Sequence, residues 1–181
     1  MKTQHTFIAY VEDLPGVLNR VSSLFRRRAY NIISLTVGRT DRPGVSRMTV
    51  VVEADDDTAK RIEANLYKLV NVLYVKDLTG GEQVVRDLAL IKVRADATKR
   101  PEVLQLCEIF RAHVVDVAPH ALTVQMAGTE NKLEGLVQML RPFGIIEMVR
   151  TGAIAMARGN GESSESRFVS PERPMPVRIP A

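Results

Sequence analysis

The run Asp13-Leu14-Pro15-Gly16-Val17-Leu18, with Asn31-Ile32 one helix-length further on, concentrates the residue types in this sequence best suited to holding a small molecule. If the run opens a helix, its first turn presents backbone N–H groups that lack intrahelical partners and carry partial positive charge, which suits a carboxylate. Gly16 has no Cβ, so a ligand can lie against the main chain. Pro15 stiffens the turn. Leu14 and Val17 offer apolar surface to an aliphatic side chain, and Asn31 brings both a donor and an acceptor. The chemistry is that of capturing a free amino acid. A plainer reading has equal weight: a tight strand–helix turn, capped by Asp13 and started by Pro15. Placing Gly16 in the first helical turn costs about 1 kcal/mol relative to alanine, which argues for a close approach to the backbone.

Other chemistry is sparse. The histidines are His5, His113 and His120, with neither His-x-x-x-His nor Cys-x-x-Cys spacing, so metal binding is not expected. Cys107 is the single cysteine, which excludes an intrachain disulfide, and it falls on an apolar helical stripe as a small core residue. Asp55-Asp56-Asp57 reads as a solvated helix start. There is no phosphate loop or dinucleotide-type glycine pattern, and the chain is not expected to catalyse a reaction by itself. The net charge of +4 and pI near 9.4 invite a nucleic-acid reading. The charges are dispersed, however, and Arg26-Arg27-Arg28 complements the end of a helix. A sheet that stacks RNA bases exposes aromatics, and here aromatics are 5% of the chain. No nucleic acid and no membrane are expected as partners, and a cytoplasmic location is the default.

These residues need elements to position them. Thr6–Val11 is a strand, and Val17, Val21, Leu24 and Phe25 form a helical stripe. Strands follow at Asn31–Val37 and Val45–Val52, joined by the turn Arg39–Gly44. A second helix carries Ala59, Ile62, Leu66 and Leu69, and Val70–Val75 is a fourth strand. The order βαββαβ then repeats. A strand at 84–93 leads to a helix beginning near Pro101. Strands at 113–118 and 121–126 follow, then a helix that Pro142 ends. Ile145–Val149 begins a last strand, with Ala153–Met156 as its continuation. The fold class is α+β, two ferredoxin-like βαββαβ units in tandem over 1–79 and 80–158, with the joint at Thr79–Glu82. The second unit's first strand–helix joint, Arg94–Pro101, lacks glycine, so the first unit holds every candidate contact.

In order along the chain, this pattern resembles a known family. The strand, Asp13–Leu18, the amphipathic helix and Tyr30-Asn-Ile-Ile-Ser-Leu35 look like an ACT domain, a regulatory module that binds amino acids. Pro15–Val21, Arg28–Val37, Ser46–Thr49, Lys68–Leu73, Arg86–Val93, Phe110–Val117 and Arg150-Thr-Gly152 are more specifically similar to the small regulatory subunits of acetolactate (acetohydroxyacid) synthase. The resemblance spans about residues 4–158. It implies a large catalytic subunit that carries thiamine diphosphate, FAD and magnesium, with no cofactor in this chain. It implies stimulation of that subunit and feedback inhibition by a branched-chain amino acid, commonly valine. It also implies a homodimer or higher oligomer with the effector at an edge-to-edge interface, between Asp13, Leu14, Pro15, Gly16, Val17 and Leu18 of one chain and Asn31 and Ile32 of the other. Family members often have asparagine where this chain has Asp13, and a carboxylate there favours the ligand's ammonium group while repelling its carboxylate. A free-standing ACT-type sensor serving another enzyme is the alternative.

Residues 159–181 are polar and proline-rich and are expected to be a disordered tail. A chain ending at Arg158 should therefore stimulate the catalytic subunit and respond to effector as the full chain does. Acetolactate assays on both forms check this, and loss of either property would show that the tail docks.

Overall fold

A computed structural model describes residues 2–159, so all but one residue of the expected tail lies outside the described residues. The first unit is β1 (Thr3–Glu12), α1 (Val17–Arg27), β2 (Ile32–Arg39), β3 (Val45–Ala54), α2 (Asp56–Tyr67) and β4 (Val72–Asp77). Its strands form one antiparallel sheet in the order β2-β3-β1-β4. The second unit is β5 (Gln83–Arg94), α3 (Arg100–Phe110), β6 (His113–Ala118), β7 (Ala121–Gly128), α4 (Glu130–Leu140), a 3-10 turn at Arg141–Phe143 and β8 (Ile145–Arg150), followed by β9 (Ile154–Ala157). Its order, β6-β7-β5-β8, repeats the first. Among the described residues, no helix is long and apolar enough to cross a membrane.

Each sheet packs its helices on one face. Val17, Val21, Leu24 and Phe25 of α1 and Ile62 and Leu66 of α2 close over Phe7, Ala9 and Val11 of β1 and Met48, Val50 and Val52 of β3. Asp55 caps α2, its side chain accepting the Thr58 N–H at 2.8 Å. In the second unit Val103, Cys107, Leu133 and Leu136 close over Ala89, Ile91 and Val93. Cys107 is buried, and that burial pushes its thiol up from the ordinary value, as befits a core residue.

The helix-free face of the first sheet is covered as well. Ile8 and Tyr10 point away from the helices, yet both are buried, against Leu78 and Ala155 with Leu73, Tyr74 and Val85 around them. The cover comes from β4 and the connection after it, and from β5 and β9 of the second unit. β5 is long enough to pair with β8 along Ala89–Val93 and with β9 along Gln83–Arg86. The expected last strand does continue, but Thr151-Gly152-Ala153 interrupts it. Gly152 has φ +84, a left-handed conformation that L side chains rarely adopt. Asp87 fills the interruption, accepting from Arg150 Nε at 2.9 Å, Thr151 Oγ1 at 3.1 Å and the Gly152 N–H at 3.1 Å.

Glu63 of α2 is half-buried. Burial first, then the neighbouring Asp77 charge, holds its carboxyl above the ordinary glutamate value. The folded chain thus binds this proton more tightly than the unfolded chain. Stability from this group is complete below the unfolded value and falls as pH rises through the folded one. Glu63→Gln is expected to raise the melting temperature at neutral pH, with the gain vanishing in acid below the ordinary glutamate range. Thermal melts across pH check this.

Candidate functional site

The chain leaves β1 at Glu12 and turns at once. The Asp13 N–H donates to Gly44 O at 2.8 Å, tying the loop to the β2–β3 hairpin. The Val17 N–H donates to Leu14 O at 3.3 Å, which closes a turn with Pro15 and Gly16 at its centre. Gly16 has φ 86 and ψ −9, as the third residue of a type II turn requires. This corrects the sequence reading. Gly16 precedes the helix instead of lying in its first turn, and the turn alone demands glycine. A residue with a Cβ would bear roughly 1–2 kcal/mol of strain in that conformation. The space above it is free: a Cβ on Gly16 would meet nothing within 4 Å.

No side chain caps α1, and its first turn holds no acidic residue. The other helix entrances differ. Asp55 caps α2, and Asp96 Oδ1 accepts the Thr98 and Lys99 N–H groups, both at 3.0 Å, before α3. α4 lacks a capping side chain but carries Glu130 in its first turn, the wrong sign beside an anion. Among the described helices, the α1 entrance is therefore the one that joins uncapped amides to a first turn without a carboxylate.

Asp13 does not cap the helix. It pairs with Arg39 at the end of β2, Oδ2 to Nε at 3.3 Å, and both side chains are exposed. Arg39 thus offsets the negative charge that sequence reasoning set against a ligand carboxylate. Sequence reading missed Arg39, whose only signal was its place at the mouth of the hairpin. It also missed Asn71, which joins the base of the loop. Asn71 O accepts the Glu12 N–H at 2.9 Å, its side-chain amide donates to Glu12, and its Oδ1 accepts from Arg20 of α1.

The apolar residues divide by face. Leu14 and Leu18 are 52% and 45% exposed, whereas Val17 is 5% exposed and belongs to the helix-side core. Val17 therefore supports the loop from beneath and offers no surface to a ligand. Asn31 is exposed, and Ile32 is half-buried against the same core. Both lie past the far end of α1, whose 11 residues put about 16 Å of helix between them and Gly16. A single chain does not bring the two groups together. β2 is an edge strand of the first sheet, with Ile33 and Val37 exposed along it.

Comparison with known proteins places the chain. Residues 7–74 match the AHAS small subunit-like ACT domain, and residues 86–159 match the family described as the small subunit of acetolactate synthase. The acetolactate synthase small subunit of Mycolicibacterium smegmatis is 48% identical over 155 residues, covering 86% of this chain and 91% of that protein. A probable acetolactate synthase small subunit of Archaeoglobus fulgidus is 45% identical over 157 residues, covering 87% and 98%. The crystal structure of the acetolactate synthase small subunit from Thermotoga maritima superposes with a TM-score of 0.82 at 39% identity, covering 87% of this chain and 99% of that one. The chain belongs to the family of acetolactate synthase small, regulatory subunits.

Proposed function

We propose that this chain stimulates a large acetolactate synthase subunit and makes it sensitive to a branched-chain amino acid, with valine the first candidate. The observation that carries this reading is the α1 entrance: uncapped amides, a glycine with open space above it and no carboxylate in the first turn. A ligand carboxylate would accept from those amides, and Leu14 and Leu18 would flank its aliphatic side chain. The ammonium group would find Asp13 of this chain and the Asn31 side chain of a second copy. That copy would join through the free edge of β2, since an edge strand offers unpaired backbone groups to another strand. Residues 1–79 would be the sensing domain and 80–158 the unit through which the signal passes on. Thiamine diphosphate, FAD and magnesium would belong to the catalytic subunit, along with every bond made or broken. This chain would change only how fast that subunit works.

Gly16→Asp tests the site. At ~4 Å and an effective dielectric near 20, two like charges repel by about 4 kcal/mol, close to a thousandfold in affinity. Valine inhibition of the reconstituted complex should be abolished while stimulation survives, because aspartate tolerates the left-handed backbone better than most residues. Gly16→Ala carries the backbone strain without the charge and should keep most of the inhibition. Acetolactate assays with and without valine read both variants. Unchanged inhibition in Gly16→Asp would place the effector elsewhere. No rate change on adding the wild-type chain to the catalytic subunit would leave a free-standing sensor as the better reading.

A further inference from the structure

The same strand that would receive the effector is gripped by the second unit. Ser34 and Thr36 of β2 point to the helix-free side, while Leu35 between them packs toward the helices. The Ala153 N–H donates to Ser34 Oγ at 2.9 Å, and Thr36 Oγ1 donates to Thr151 O at 3.3 Å. Gly152 lies between these two contacts. A Cβ on it would sit 2.5 Å from Ser34 Oγ and 3.2 Å from Thr36 Oγ1, so a side chain there would push the Ser34 hydroxyl out of its place under the Ala153 N–H.

The turn cannot yield alone. Asp87 holds Arg150, Thr151 and Gly152, and the Leu88 N–H donates to Thr151 Oγ1 at 3.1 Å while the Thr151 N–H returns to Leu88 O at 3.0 Å. Asp87 and Leu88 belong to β5, which pairs with both β7 and β8 of the second sheet. At the contact a cleft of about 500 Å³ is lined by Thr6, Ile33 and Val51 of the first unit and Val85, Asp87 and Arg150 of the second. The β2–β3 register also shifts between Ile32 and Ser34, where the candidate effector residues meet the gripped ones. Such an irregularity interrupts the ladder locally and bends the strand.

We infer that the Arg150–Ala153 turn is the link through which occupancy of the effector site at Asn31-Ile32 is passed to the second unit, with Ser34, Thr36 and Gly152 as positioning residues. The inference rests on the effector reading above. A displacement of β2 must either carry the turn, and with it β5, or break both hydrogen bonds. Loss of the grip would leave binding and stimulation in place and remove the response.

The test uses the reconstituted complex of catalytic and small subunits. Gly152→Ala forces a methyl group between strand and turn, and Ser34→Ala removes one hydrogen bond with no added bulk. The expected result is that saturating valine inhibits the Gly152→Ala complex to less than half of the wild-type extent, with a smaller loss of maximal inhibition in Ser34→Ala. Valine affinity by calorimetry should stay the same or tighten, and stimulation should be unchanged, which also shows that the variants fold. Hydrogen exchange supplies a readout that needs no effector: the Ala153 amide should exchange faster in Ser34→Ala than in the wild type. Normal inhibition in both variants, affinity lost in parallel with inhibition, or equal exchange at Ala153 would each overturn the inference. A wild-type complex that binds no valine, leucine or isoleucine would instead overturn the effector reading, and this inference with it.

Discussion

Both faces of the first sheet have to be covered, and the rest of the molecule follows from how this is done. β1 reads Phe7-Ile8-Ala9-Tyr10-Val11, apolar on both sides of the pleat, and all five residues are buried. Two helices cover Phe7, Ala9 and Val11. Ile8 and Tyr10 face the other way and are covered by Leu78 and Ala155, from the connection after β4 and from β9. Fully burying side chains of this size is worth about 1.5–3 kcal/mol each, against a typical domain stability of about 5–15 kcal/mol. Part of this cover comes from the first unit itself, through Leu73, Tyr74 and Leu78, and part from Val85 and Ala155 of the second, so the cluster joins the two units. Arg47 of β3 adds to it, donating to Ala155 O and stacking over the Tyr10 ring with its guanidinium carbon 5.5 Å from the ring centre.

Covering one face fixes what stays open. Around Ile8 and Tyr10 the first sheet is covered on both sides, and the candidate ligand and partner surfaces lie at its margins: the turn after β1 and the edge strand β2. The turn is tied twice at its entrance, to Asn71 through Glu12 and to Gly44 through Asp13, and at its exit Val17 is anchored in the core. The β2 edge holds the candidate effector residues at its start and the contacts to the second unit immediately after them. A regulatory chain needs a place where a small molecule acts and a path by which that action moves something larger. In the proposed reading the Asn31-Ile32 end of β2 serves the first need and Ser34 and Thr36, on the same strand, serve the second.

Local signals carried most of the element order. The helical stripe of α1, the capping Asp55, the strand at His113–Ala118 and the buried Cys107 all follow from spacing and residue type, which act over a few residues. The Pro15-Gly16 pair is the usual signature of a type II turn, but reading it as a first helical turn moved the helix start by two residues, from Val17 to Pro15. Val17 could have been assigned correctly: a residue on the core stripe with Val21 and Leu24 cannot also face a ligand. The unbroken apolar run of β1 was a visible sign that both sides are buried. What covered its second side was not legible, because the contacts join residues more than 100 positions apart, such as Ser34 with Ala153 and Arg47 with Ala155. Arg150-Thr-Gly152 stood out as a matching stretch, but why a glycine sits there was not legible, since the nearest atoms belong to Ser34 and Thr36 of β2. The family resemblance pointed to the loop and Asn31, whereas the pairing of Asp13 with Arg39 needed coordinates.

The central claim is that a branched-chain amino acid seats its carboxylate on the uncapped amides that open α1, in a site completed by a second copy of the chain. Residue-resolved hydrogen exchange of the full-length chain, with and without saturating valine, tests it most directly. The account predicts new protection at the amides of Gly16, Leu18 and Asn19, with a second protected stretch at residues 31–34, in a species with the mass of at least a dimer. Protection confined to the Arg94–Pro101 joint or the second sheet, with the amides at 16–19 unchanged while valine is bound, would contradict it.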